Sequence, residues 1–237
     1  MRGRRSWGAL LAQFFFPQRY CLICGTLSGE AGACAACAAR LNALGRCEIC
    51  AAFTESPGLC SHCAETLPLF TQARAAAPYG GKLRDSLLSF KYQENTWLRR
   101  PLAALLAAAY EQHYSGRAFS AVIPIPLASA RLKERGYNQS ALLAQTLAAE
   151  LGINYQPGLL KRVLDTPPLA NFNGEQRRFL LKQAFAAGAA EGQRVLLIDD
   201  IYTSGATLNT CTEVLLQAGA QAVYGLTVTA YDDRGSD

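Results

Sequence analysis

Apolar positions along this chain recur with two periods. Asn138 to Leu151 sets Leu142, Leu143, Leu147 and Leu151 on one helical face and stops at Gly152. Trp97 to His113 is rich in Ala and Leu, with Pro101 tolerated in a first turn, and predicts another helix. Thr207 to Gln217 predicts a third, stopped by Gly219. Between the helices lie short apolar runs: Ala121 to Pro126, Arg194 to Ile198, and Ala222 to Ala230. The run Val195-Leu-Leu-Ile198 offers no polar face, as in a strand covered on both sides of a parallel sheet. Strands alternating with helices predict an α/β body built on a parallel sheet.

Upstream of that body the pattern is set by thiols instead. Nine cysteines occur, eight of them between Cys21 and Cys63, and Cys211 stands apart. They form four C-x-x-C turns: Cys21/Cys24, Cys34/Cys37, Cys47/Cys50 and Cys60/Cys63. Two residues between thiols let both sulfurs of a tight turn face one centre, and two such turns supply a tetrahedral Zn²⁺ site. Eight cysteines therefore predict two closed, structural zinc sites in a small N-terminal double-knuckle module. Neighbour, alternate and outer-with-inner pairings are all open; neighbours close the shortest loops, which favours Cys21, Cys24, Cys34 and Cys37 for one site. His62 lies inside the fourth turn and is read as a non-ligand. A disulfide framework is the competing reading. Few large aliphatics accompany the cysteines, so metal binding would supply folding energy that a core does not.

Composition narrows the class. Half of the 237 residues are hydrophobic and 17% are charged, which excludes a disordered chain. No apolar run reaches the roughly 18 residues of a membrane span. Arg2, Arg4 and Arg5 ahead of Trp7 to Phe16 resemble a signal peptide, but Phe14, Phe15, Phe16 and Pro17 follow where a small-residue cleavage site would be. That stretch is read as an apolar helix, and the chain as cytoplasmic. The expected division is 1–66 for the helix and zinc module and 67–237 for the α/β body. A net charge of +5 permits an anionic partner without identifying one.

The candidate chemistry sits at the end of the 194–198 strand. Asp199 and Asp200 leave an apolar run, and Thr203, Ser204, Gly205, Ala206 and Thr207 then lead into a helix. Backbone N–H groups at such a helix start cradle phosphate. Carboxylates cannot serve a phosphate, but they accept hydrogen bonds from a vicinal diol. Together these features describe a 5-phosphoribosyl site. His62 and His113 are the only histidines, so histidine-dependent triads and H-E-x-x-H sites are excluded.

The run Val195 to Thr207 resembles the phosphoribosyl pyrophosphate (PRPP) motif of type I phosphoribosyltransferases. The chain as a whole resembles the competence protein F (ComF/GntX) family, through the cysteine turns, Tyr79-Gly-Gly-Lys-Leu-Arg84, Phe90-Lys-Tyr92, Pro124-Ile-Pro126 and Arg135-Gly-Tyr-Asn-Gln139. The resemblance implies a type I phosphoribosyltransferase-like parallel sheet flanked by helices. It implies Asp199 and Asp200 on the ribose hydroxyls, Thr203 to Thr207 on the 5′-phosphate, and the Arg131, Lys133 and Arg135 region on the pyrophosphate side. PRPP would come with Mg²⁺, the acceptor is unspecified, and pyrophosphate would be displaced from the anomeric carbon. Arg177, Arg178, Ala184 and Phe185 fit the family pattern, whereas Leu169 and Leu180 replace an expected Gln and Asn.

Two functions follow from the resemblance. One is a phosphoribosyltransferase linked to natural competence and DNA uptake. The other is a non-catalytic adaptor of DNA uptake, or a single-stranded DNA binder, that retains the PRPP fold. Lys91 reads chiefly as a core-edge lysine and Cys211 as a small buried hydrophobe.

Overall fold

The computed structural model describes residues 20–165 and 183–231. The expected N-terminal apolar helix and the segment carrying Leu169, Arg177, Arg178 and Leu180 lie outside them.

Four strands form one parallel sheet: β1 (Gln72–Pro78), β2 (Ala121–Pro124), β5 (Arg194–Tyr202) and β6 (Ala222–Ala230). Their order is β1-β6-β5-β2. Ile198 pairs with Pro124 on one side and with Leu226 on the other. A two-stranded antiparallel ribbon, β3 (Leu160–Arg162) with β4 (Phe185–Ala187), stands beside it.

Alternation along the strands sorts the core into two halves. Leu196 and Ile198 of β5, with Val122, Leu226 and Val228, pack against helices α3 (Gly81–Tyr92), α4 (Arg99–Tyr114) and α6 (Gln139–Leu151). Val195 and Leu197, with Ala73, Ala121, Ile123 and Val223, face helix α7 (Ala206–Gln217) and the ribbon. Burial on both faces explains why Val195 to Ile198 carries no polar residue.

The second face is covered by something the apolar pattern does not disclose. Cys47, Cys50, Phe53, Cys60, Cys63 and Phe70 join the same buried cluster as Ala73, Ala75 and Val195. The Ala73 amide donates to Ile49 O at 2.7 Å, so the third cysteine turn lies along the free edge of β1. Arg74, only 8% exposed, donates to the carbonyls of Glu48 (2.9 Å), Ala73 (2.7 Å) and Cys50 (3.3 Å). Two helices accompany the cysteine turns, α1 (Ala35–Asn42) after Cys34 and α2 (Ser61–Glu65) after Cys60.

Several boundaries differ from the sequence expectation. Strand β5 continues past Ile198 to Tyr202, so Asp199 and Asp200 lie within the strand, Asp199 paired with Thr227. The stretch after β2 turns into helix α5 (Ser129–Arg135), closed by Gly136 in a left-handed conformation. Asn138 caps α6 by accepting from the amides of Ser140 and Ala141. Among the described residues no helix is long and apolar enough to cross a membrane.

Candidate phosphoribosyl site and cysteine quartets

Parallel strands present ligand sites at their carboxyl ends, and three separate sequence motifs meet at that end of β5. Lys91, in the last turn of α3, forms an ion pair with Asp200. Gln139, the first residue of α6, donates from Nε2 to Asp200 Oδ1 at 3.3 Å. Ser140 donates from its hydroxyl to Asp199 Oδ1 at 2.8 Å, and the Asp200 amide reaches the same oxygen at 2.9 Å. Arg135 extends the network: it donates to Gln139 Oε1 at 2.6 Å and lies over the Tyr92 ring at 4.9 Å. The Tyr137 hydroxyl donates to Phe90 O, and the two rings stand 5.9 Å apart. The Phe90-Lys-Tyr92 and Arg135 to Gln139 segments thus form one support beneath the acidic pair.

Burial, then the neighbouring charge of Asp200, pushes the Asp199 pKa up to about 7, against the hydrogen bond from Ser140 and the Lys91 charge.

The following loop turns directly from the strand into a helix. Thr203 and Ser204 are exposed, Gly205 adopts φ +73°, and α7 begins at Ala206. Gly205 is required twice over: its φ is left-handed, and a Cβ there would stand 2.4 Å from the Tyr202 hydroxyl. Asp199, Tyr202, Thr203, Gly205, Ala206, Thr207 and neighbours line a recess of about 30 Å³. A larger cavity of about 320 Å³ lies between the first cysteine turns and Gly80-Gly81. Donor chemistry, not volume, distinguishes the β5 end as the candidate site.

Arg135, expected on the pyrophosphate side, is held by Gln139 and Tyr92 as described, while Arg131 and Lys133 are exposed on α5. Sequence reading gave Lys91 chiefly a packing role and did not single out Ser140. A lysine between Phe90 and Tyr92 at a helix end was the available signal; nothing local marks Ser140.

The sulfurs gather into two groups, Cys21/Cys24/Cys34/Cys37 and Cys47/Cys50/Cys60/Cys63, each with its ligand atoms within 4.8 Å of one another. A tetrahedral site with metal–sulfur bonds of about 2.3 Å has edges of about 3.8 Å. Cys24 to Cys34 is 3.8 Å and Cys50 to Cys60 is 3.6 Å, so four soft donors at these spacings fit a zinc ion. Backbone amides point at the sulfurs of the second group: Cys50 and Cys60 donate to Cys47 Sγ, and Ala52 donates to Cys50 Sγ. These bonds favour thiolates. His62 is exposed and stands outside both groups. Cys211 is fully buried on α7.

The two quartets differ in setting. All four cysteines of the second are buried, whereas in the first Cys24 is exposed and Cys34 half-buried. Four thiolates around a divalent cation carry a net −2, and Arg74 lies against the second group. Burial lowers the Arg74 pKa, opposed by the charges of Tyr114, Cys47 and Cys50.

No protein-family model matches the chain. It is 35% identical over 141 residues to competence protein F of Haemophilus influenzae, covering 56% of this chain and 62% of that protein. It is 30% identical over 166 residues to competence protein ComFC of Bacillus subtilis, covering 65% and 62%. DNA utilization protein YhgH of Salmonella typhi is 34% identical over 103 residues, covering 43% and 45%. The chain thus spans less than two thirds of the length of these curated relatives. Similar solved structures include adenine phosphoribosyltransferase from Saccharomyces cerevisiae, at 17% identity and TM-score 0.39, covering 59% of this chain and 72% of that one. Another is the glutamine PRPP amidotransferase of B. subtilis, at 19% identity and TM-score 0.41, covering 60% and 30%. The chain is thus similar, over part of their length, to competence protein F, ComFC and YhgH.

Proposed function

We propose that this chain binds PRPP with Mg²⁺ at the end of β5 and transfers the phosphoribosyl group to an acceptor, in the service of DNA uptake or utilisation. The observation that carries the reading is the succession of the acidic pair, the Gly205 turn and the first turn of α7 at the carboxyl end of a buried parallel strand. Asp199 and Asp200 accept from the ribose 2′- and 3′-hydroxyls. The amides of Thr203 to Thr207 hold the 5′-phosphate, with the N-terminus of α7 adding its dipole. Arg135 lies on the pyrophosphate side. When bound, Mg²⁺ offsets negative charge growing on the pyrophosphate leaving group. The chain's own contribution is positioning: diol and phosphate contacts fix the anomeric carbon, and no side-chain nucleophile is required.

In this reading residues 1–66 form the zinc module and 67–237 the phosphoribosyl part. The eight cysteines hold two structural zinc ions, which suits a reducing, cytoplasmic setting where thiols stay unpaired.

The YhgH relatives are named DNA utilization proteins, and the second reading is a non-catalytic adaptor that handles single-stranded DNA. Thermal melting separates the two. PRPP with Mg²⁺ should raise the melting temperature of the wild type and leave Asp199→Asn/Asp200→Asn unmoved. An adaptor would instead bind an oligonucleotide, with salt dependence, equally well in both proteins.

A further inference from the structure

Tyr202 ends β5 immediately before the candidate phosphate loop, yet its side chain belongs to the opposite neighbourhood. It is 7% exposed and packs edge-on against Phe70, with centroids 6.4 Å apart and planes at 86°. It shares its buried cluster with Cys47, Cys50, Cys60 and Cys63. The phenol is thus buried on the quartet's side of the sheet.

The same hydroxyl lies under the loop. Of the atoms a Cβ at Gly205 would meet, the three nearest all belong to Tyr202: Oη at 2.4 Å, Cζ at 2.8 Å and Cε2 at 3.0 Å. One phenol therefore lies against the loop backbone and shares the buried cluster of the second quartet. A second tie runs in parallel. The Leu69 amide, a few residues beyond Cys63, donates to Asn209 Oδ1 at 2.6 Å in the opening of α7, and the Asn209 amide donates to Gly205 O at 2.8 Å. The first quartet has a different neighbour, since a Cβ at Gly25 would meet the Lys82 side chain.

We infer that Tyr202 is a positioning residue that braces the Thr203 to Thr207 loop on the second cysteine quartet, so that closing Cys47, Cys50, Cys60 and Cys63 around a metal ion orders the loop and sets its affinity for a phosphate-bearing ligand. The first quartet has no part in this. The ligand half of the inference rests on the phosphoribosyl reading; the brace does not.

The experiment is amide hydrogen exchange on the full zinc-loaded chain, following peptides that span residues 199–209, with zinc content measured by a chromophoric chelator. Tyr202→Phe and Tyr202→Leu should keep wild-type zinc content and exchange about five-fold or more faster in the loop, as expected for thinning the buried contact between the phenol and the loop. Cys60→Ser should lose one zinc and speed the loop equally, while Cys24→Ser should lose one zinc and leave it at the wild-type rate. Titration with PRPP and Mg²⁺ should show weaker binding in the same three variants and wild-type binding in Cys24→Ser. Unchanged loop exchange in both Tyr202 variants would overturn the inference, as would equal acceleration by Cys24→Ser. If Cys60→Ser does not fold, the Tyr202 variants and Cys24→Ser still decide it. If the wild type binds no PRPP, the phosphoribosyl reading fails, while loop exchange still tests the brace.

Discussion

Lys91 and Asp200, far apart in the chain, form an ion pair beneath the candidate ribose site, with side chains 15% and 6% exposed. The pairing gives Lys91 an electrostatic task, since it is the cation set against two adjacent carboxylates. Replacing it by Met keeps the apolar stem and removes the charge. Lys91→Met should lower unfolding free energy by roughly 1–3 kcal/mol at pH 8, above the Asp199 pKa of about 7. The loss should shrink near pH 5, where Asp199 holds its proton. Urea melts at the two pH values check this; an equal loss at both would mean Lys91 acts through packing alone.

Asp199 carries the complementary prediction. Its pKa stands at about 7 in the folded chain, above the ordinary 3.8. Between those values the folded state keeps a proton that the unfolded state has released. Stability from this group is therefore lost as pH rises from about 4 to about 7. Asp199→Asn should flatten that decline and, at pH 8, exceed the wild type by roughly 1–2 kcal/mol. Thermal melts across pH 5 to 8 measure it, and a variant with the wild-type slope would remove Asp199 as the cause.

How much of this was legible beforehand depended on distance along the chain. The α6 boundaries at Asn138 and Gly152 follow from a cap residue and a helix stop, both local signals. Strand β6 likewise spans the apolar run Ala222–Ala230. Strand β1 carries no strand signal of its own, because Gln72-Ala-Arg-Ala-Ala-Ala-Pro78 lacks β-branched residues; its strand state comes from pairing with β6. The end of β5 was placed too early because two aspartates interrupt an apolar run, although the β6 ladder carries them. The same applies to the site. The acidic pair and the Gly205 turn are contiguous, while Lys91 and Ser140 reach it only through the packing of α3 and α6.

Removal of metal should proceed in two phases. The first quartet exposes Cys24, while the second is buried against the sheet and shares its core with Val195 and Leu197. A chelator should take one equivalent of zinc quickly with exchange of the 199–209 loop unchanged, and the second in a slower phase that speeds exchange of that loop. Release of both equivalents in one phase would contradict this ordering.

Gly205→Ala tests the loop directly. The substitution adds strain at φ +73° and drives a methyl into the Tyr202 hydroxyl. It should cost about 1–3 kcal/mol in stability. Pairing it with Tyr202→Leu, which clears the space, should recover part of that loss in a double-mutant cycle. Additive losses would show that the contact is unimportant.

The central claim is that the β5 end is a phosphoribosyl site. Isothermal titration of PRPP with Mg²⁺ into the wild type and into Asp199→Asn/Asp200→Asn tests it most directly. Saturable binding by the wild type that disappears in the folded double variant is the expected result. Absence of binding to the wild type, or equal binding to both, would contradict it.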